Sequence, residues 1–185
     1  MLYCLGIGKG FVEKYLLRPN TTVVATVRDT SAQDSKSLDH LPKAEGSKLV
    51  VVKVESISDT DAFEAVQSLA NYDLTKLDIV IANAGIFKLK AFQKVAEMQT
   101  ADLMEHFNVN AAGVVHLFQA TWPLLQKSDK PKFMVISSGV ATIAGMDYVP
   151  YNVGSYGASK AAINYLTRRI HFENEKLIAF AVHPG

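Results

Sequence analysis

The chain has 185 residues, 49% apolar and 20% charged, with 19 Lys and Arg against 18 Asp and Glu. That length indicates one domain, residues 1–185, burying about 70% of its unfolded surface without metal or disulfide staples. A net charge of +1 excludes an electrostatic nucleic-acid binder, and the single cysteine, Cys4, excludes an intrachain disulfide and a cysteine-based zinc site. No apolar run approaches the roughly 18 residues of a membrane span, and the first six residues lack the basic start of a signal peptide. The expectation is a soluble cytoplasmic domain that binds neither nucleic acid nor membrane.

Extended and helical patterns alternate along the chain. A helix is predicted over 10–17, after a Gly turn and before Pro19, which cannot continue it. Residues 21–27 are continuously apolar or β-branched, as in a strand buried on both faces, and 49–54, 77–82, 133–137 and 177–182 share that character. Between them, 59–70 opens with Ser58 or Asp59 as the cap and spaces Phe63, Val66 and Leu69 as one helical face. Long helices are predicted over 101–126 and 155–175, and the loosest stretches are 30–47 and 139–155. Such alternation predicts a doubly wound parallel α/β sheet in three layers, with ligands beyond the carboxyl ends of the strands.

The chemically informative residues fall at those ends. Gly6, Ile7 and Gly8, ahead of a helix, would let backbone N–H groups and the helix dipole meet a pyrophosphate, though glycine pairs before helices are common. Arg28 directly follows the first predicted strand, with Val27 where an NAD site would carry an acid. An arginine there can pair with a 2′-phosphate, or simply with Asp29 in solvent. Asn83, Ala84 and Gly85 end another strand with small residues that admit a flat ligand, or form an ordinary turn.

Tyr156 and Lys160 are four apart at the start of a helix, hence on one face one turn apart, and Ser138 ends the preceding strand. An ammonium favours the phenolate and lowers a tyrosine pKa from its usual value near 10. Tyr, Lys and Ser together suit proton transfer to a carbonyl oxygen while hydride reaches the carbon. An ordinary surface pair and a strand-end serine account for the same residues without chemistry. Asn110 sits within a predicted helix, where asparagine is poorly suited unless it hydrogen-bonds. The five histidines (His40, His106, His116, His171, His183) share no metal-ligand spacing, so no metal is expected.

In this order and spacing, Gly6 to Gly8, Arg28, Asn83 to Gly85, Asn110, Ser138, Tyr156 with Lys160, and Pro184 with Gly185 resemble the short-chain dehydrogenase/reductase family. Residues 12–28 are most similar to its branch of norsolorinic acid ketoreductases and related carbonyl reductases. The resemblance implies a Rossmann-like NAD(P)-binding domain and NADP(H), rather than NAD(H), as cofactor. It implies a small-molecule carbonyl or alcohol as substrate, with copies associating through the long helices. It makes Tyr156 the acid/base, Lys160 the residue that lowers its pKa and holds the nicotinamide ribose, and Ser138 the orienting hydroxyl. Asn110 would hold a relay water near the lysine. Ile7 would border the pyrophosphate, Asn83 to Gly85 the adenosine half, Glu55 (or Ser56) the adenine, and Pro184 and Gly185 the nicotinamide. The segment 143–151, with Met146, Tyr148 and Tyr151, would line an apolar substrate pocket.

Two departures from the family pattern stand out. Leu2 occupies the place of the phosphate loop's first glycine, so the family's central first strand is expected to be lacking, and the chain stops at Gly185, before a substrate loop and a last strand. The resulting expectation is a chain truncated at both ends. An alternative function follows from it: a catalytically inactive relative acting through association with a full-length one. A cofactor-binding regulator leaves the Ser, Tyr and Lys set without a purpose.

Overall fold

The computed structural model describes residues 2–3 and 6–185. Met1, Cys4 and Leu5, and with them the lone cysteine, lie outside the described residues. The strands are β1 (Leu2–Tyr3), β2 (Thr22–Val27), β3 (Lys48–Lys53), β4 (Ile79–Ala82), β5 (Lys132–Ile136) and β6 (Ile178–Val182). The α-helices are α1 (Ile7–Leu16), α2 (Gln33–Lys36), α3 (Asp61–Ser68), α4 (Thr100–Phe107), α5 (Gly113–Leu125) and α6 (Gly154–Glu173). Every ladder between these strands is parallel. Parallel neighbours need long crossovers, which the helices supply.

The apolar runs alternate between two covered faces. On one, Val23, Ala25 and Val27 of β2 and Ile81 of β4 pack with Val12 and Leu16 of α1 and with Leu38. On the other, Val24, Val50, Val52, Val80, Phe133 and Val135 meet Ala62 and Ala65 of α3, Val114 and Leu125 of α5, and Ile163 and Ile170 of α6. Phe133, Val12, Leu16 and Ile163 are wholly buried, and each such side chain stabilises by about 1.5–3 kcal/mol. These layers make the expected α/β/α arrangement.

A first strand is present where the sequence led us to expect none. β1 pairs Leu2 with Ala25 and Tyr3 with Thr26, and it lies against β4. The described strands form two three-stranded sheets, β1-β2-β3 and β4-β5-β6. The first helix begins at Ile7, not at residue 10, because Gly6 turns the chain with φ 56° immediately before it. Gly6 alone is therefore the turn, while Ile7 and Gly8 lie in the helix's first turn.

The helix predicted over 101–126 is interrupted. Residues Asn108–Ala112 form a π-helical turn between α4 and α5. Such widened turns re-aim the residues they contain and concentrate at functional sites. No helix among the described residues is long and apolar enough to cross a membrane.

Candidate active site

The carboxyl ends of β2, β4 and β5, with the segment that follows β6, converge on a cavity of about 980 Å³. Each strand ends in a residue whose backbone leaves the sheet, so the first side chains past the ends face this space. Its lining includes Ile7, Arg28, Glu55, Ser56, Asn83, Ala84, Gly85, Tyr156, Lys160 and Pro184. Residues spread over most of the sequence thus meet at one place.

Lys160 is the electrostatic centre of this wall. Its side chain is 4% exposed, and its Nζ donates to the carbonyl oxygen of Ile136 at 2.7 Å. Burial disfavours the charged form and pushes its pKa down from 10.5 to about 8. At neutral pH it therefore remains mostly an ammonium. Tyr156 lies one turn earlier on α6, with Nζ 5.8 Å from the centre of its ring. Helical spacing alone brings the pair together, as the sequence predicts.

Asn110 stands behind the cavity, wholly buried in the π-helical turn. Its Nδ2 donates to the Ile86 carbonyl and to Ser159 Oγ, both at 3.0 Å, and its Oδ1 accepts from the Ile86 N–H at 2.8 Å. Ser159 in turn donates to the Tyr156 carbonyl at 2.7 Å. One asparagine therefore fastens the loop after β4 to the turn of α6 that carries Tyr156. Gly85 fits between these groups: a Cβ there would lie 3.1 Å from Asn110 Oδ1 and 3.3 Å from Lys160 Nζ.

At the opposite end, the loop after β3 carries Glu55 and Ser56 into the lining. Asp61 accepts from the Glu55 N–H at 2.9 Å and from the Ser58 hydroxyl at 2.7 Å, and pairs with Lys53 at 3.1 Å. The Ser58 hydrogen bond first, then the Glu55 N–H, hold its carboxyl below the usual carboxylate range. Gly113 lets α5 approach this loop, since a Cβ there would stand 2.6 Å from the Ser56 carbonyl oxygen.

Several expected residues stand elsewhere. Gly6, Gly8, Ser138 and Gly185 do not line the cavity. Ser137 does, but its hydroxyl donates to Asn164 Oδ1 at 2.6 Å, and Ser138 follows it in extended backbone. Met146, Tyr148 and Tyr151 are exposed and do not line this cavity. A short 3₁₀ turn over Met146–Tyr148 turns that segment outward.

Phe87 and His106 escaped the sequence reading. The Phe87 ring lies 4.7 Å from that of Tyr156, and Phe92 meets Phe87 edge-on at 5.2 Å, so an aromatic wall flanks the phenol. His106 is wholly buried, with its ring 6.2 Å from Tyr156. Its Nδ1 donates to the Asp102 carbonyl at 2.7 Å, and its Nε2 accepts from the Lys88 N–H at 3.4 Å. The spacing of four between His106 and Asn110 was the available signal for an inward-facing histidine.

Comparison with known proteins agrees with this geometry. A family model described as short chain dehydrogenase matches residues 4–185. The chain is 41% identical to a norsolorinic acid ketoreductase of Dothistroma septosporum, over 97% of this chain and 68% of that protein. It is 42% identical to a norsolorinic acid ketoreductase of Aspergillus parasiticus, over 97% of this chain and 66% of the relative. The chain thus spans about two thirds of the length of these relatives. An NADPH-bound carbonyl reductase from chicken fatty liver superposes with a TM-score of 0.85 at 27% identity, over 100% of this chain and 77% of that one. Matched over nearly its whole length in sequence and in fold, the chain belongs to the short-chain dehydrogenase family, oxidoreductases that use nicotinamide cofactors.

Proposed function

We propose that this chain is an NADP(H)-dependent carbonyl reductase that interconverts a ketone or aldehyde and an alcohol, with Tyr156 as acid/base. The observation that carries the reading is the buried Lys160 beside Tyr156 at one end of a cavity whose lining also includes Arg28. The residues present fit the cofactor. An ammonium offers three N–H donors, of which Ile136 takes one, so Lys160 can also hold ribose hydroxyls. Gly85 keeps the approach to it clear of a side chain.

Arg28 would pair with the 2′-phosphate, and Glu55 or Ser56 would meet the adenine. Asn83 and Ala84 would border the adenosine, with Pro184 and Gly185 beside the nicotinamide. Gly6, Ile7 and Gly8 would present the first N–H groups of α1 to the pyrophosphate. The helix has no acidic residue in its first turn to oppose an anion there.

When bound, the reduced nicotinamide supplies a hydride to the carbonyl carbon. The chain's own part is the proton. Tyr156 donates its phenolic proton to the carbonyl oxygen, and the Lys160 ammonium stabilises the phenolate left behind. Asn110 holds the backbone that carries Tyr156, and its Oδ1 would accept from a relay water near the lysine. Ser137 is committed to Asn164, so Ser138 is the serine assigned to orient the substrate oxygen. The Phe87 and Phe92 wall favours an apolar or aromatic group next to the reacting carbonyl, and norsolorinic acid, named for two relatives, is the first ketone to assay.

Tyr156→Phe tests the assignment. Turnover of NADPH with a responsive carbonyl should fall by at least the ~10²–10⁴-fold expected of a general acid, with NADPH binding by fluorescence unchanged. Unaltered turnover would remove Tyr156 from the mechanism.

A further inference from the structure

His106 is a wholly buried titratable side chain with no part in the proton transfer. It lies near the end of α4, four residues before Asn110, so both side chains leave the helical stretch on one face. Both reach the loop after β4. Asn110 takes the N–H and the carbonyl of Ile86, and His106 Nε2 accepts from the N–H of Lys88 at 3.4 Å. Phe87 lies between these two held residues.

The partners of the imidazole select one tautomer. The Asp102 carbonyl can only accept, so the Nδ1 that stands 2.7 Å from it carries a proton. In the neutral ring Nε2 is then an acceptor, which is what the Lys88 N–H requires. The bond to Asp102, one turn back on the same helix, holds the ring plane independently of the loop. Lys88 itself is exposed, and its ammonium pairs with Glu105 where both side chains are about half in solvent, a contact worth little. That pair ties the side chain; the sheltered imidazole ties the backbone.

What the tether positions is an aromatic ring. Phe87 stands 4.7 Å from the Tyr156 ring, tilted by 48°, with Phe92 edge-on to it at 5.2 Å. Side-chain direction follows the backbone, so holding Ile86 and Lys88 sets where Phe87 meets the phenol. Proton transfer depends closely on that aim, since a displacement of about 1 Å at a reacting group can cost about 10²-fold in rate.

We propose that His106 is a positioning residue for the acid/base: through the Lys88 N–H it fixes Phe87 as a wall against Tyr156 and so sets the aim of the phenol. This deepens the role proposed for Tyr156 and rests on it.

Two substitutions separate the hydrogen bond from the ring. His106→Gln keeps an acceptor near the Nε2 position without an aromatic ring, and His106→Phe keeps a ring beside Tyr156 without an acceptor. The readouts on the full chain are amide exchange at Lys88, kcat and NADPH affinity. Exchange at Lys88 should be at least about tenfold slower in the parent and in His106→Gln than in His106→Phe. The kcat of His106→Phe should fall about tenfold to 10²-fold, and His106→Gln should recover all but about threefold of it, with NADPH affinity within about twofold throughout. Equal losses in the two variants, or a larger loss in His106→Gln, would overturn the proposal by making the ring the source. A slowed Lys88 amide with no difference in kcat would overturn it by leaving the tether purely structural. The parent alone decides part of the matter: a Lys88 amide that exchanges as fast as in an unstructured peptide refutes the tether, whether or not His106→Phe folds. Exchange is read without substrate, so failure of the tether and failure of the Tyr156 assignment are told apart.

Discussion

Replacing Lys160 with Met removes a buried cation while keeping an unbranched apolar stem in the same space. The folded-state pKa of Lys160 is pushed down by burial to about 8, against 10.5 when solvated. A lysine with a lowered folded pKa binds fewer protons folded than unfolded between those values, so stability rises with pH across that window. The full change is about 3 kcal/mol, from 1.36 kcal/mol per pH unit, and about 2.5 kcal/mol of it falls between about pH 7 and pH 10. Below about 8 the cost of the buried charge is fully present, and above 10.5 it is gone. Urea unfolding of the chain and of Lys160→Met over this range measures the difference directly. Tyrosines and lysines away from the site titrate in both proteins and cancel, and a shared Tyr156→Phe background removes the one phenol that Lys160 faces. The advantage of Lys160→Met over the parent should shrink by about 2.5 kcal/mol from about pH 7 to pH 10. Parallel stability profiles, within about 0.5 kcal/mol, would show that Lys160 is not desolvated and would undo the electrostatic account of the site.

Asn110→Leu leaves both backbone groups of Ile86 without their buried partner, at about 1–3 kcal/mol each, so urea unfolding should show a loss of at least 2 kcal/mol. Retained stability would mean that the loop after β4 is held by other contacts. Arg28→Glu should weaken NADPH roughly tenfold while changing NADH by less than about threefold, since only the phosphorylated form presents a second anion to that side chain. Equal changes for both cofactors, measured by fluorescence titration, would remove Arg28 from cofactor choice.

The fold was legible because parallel strands are apolar or β-branched at nearly every position, as 21–27 is throughout and 49–54 is apart from Lys53. Tyr156 and Lys160 were legible because helical spacing is fixed. Asn110 announced itself as an unsuitable helix residue, and its hydrogen bonds to Ile86 and Ser159 explain it. The π-helical turn around it was not legible: apolar residues on both sides fit one continuous helix, and one widened turn leaves little trace in the periodicity. β1 was missed because two residues carry no alternation. Phe87 depends on where the loop after β4 is tied, which Asn110 decides across 24 residues of sequence.

The two ends of the sheet differ among the described residues. β1 stands opposite Ala25 and Thr26, at the carboxyl end of β2, next to Arg28 and the site. There β1 fills the space between β2 and β4, and Ile7 and Lys160 face the same cavity across it. Among the described residues, the edges of β2 and β4 that face each other without a strand between them lie at the amino end, around Thr22 and Ile79, away from every residue assigned to chemistry. Unpaired backbone groups cost about 1–3 kcal/mol each when sealed from water, enough in number to unfold a domain stable by about 5–15 kcal/mol. Here the edges border a cavity with an exposed polar mouth, where water can hydrate them at much lower cost. The local stability of β2 and β4 should accordingly be graded, with exchange fastest at Thr22 and Val23 and slowest at Ala25 and Thr26, so that fraying spreads from the amino end of the sheet and reaches the active-site end last.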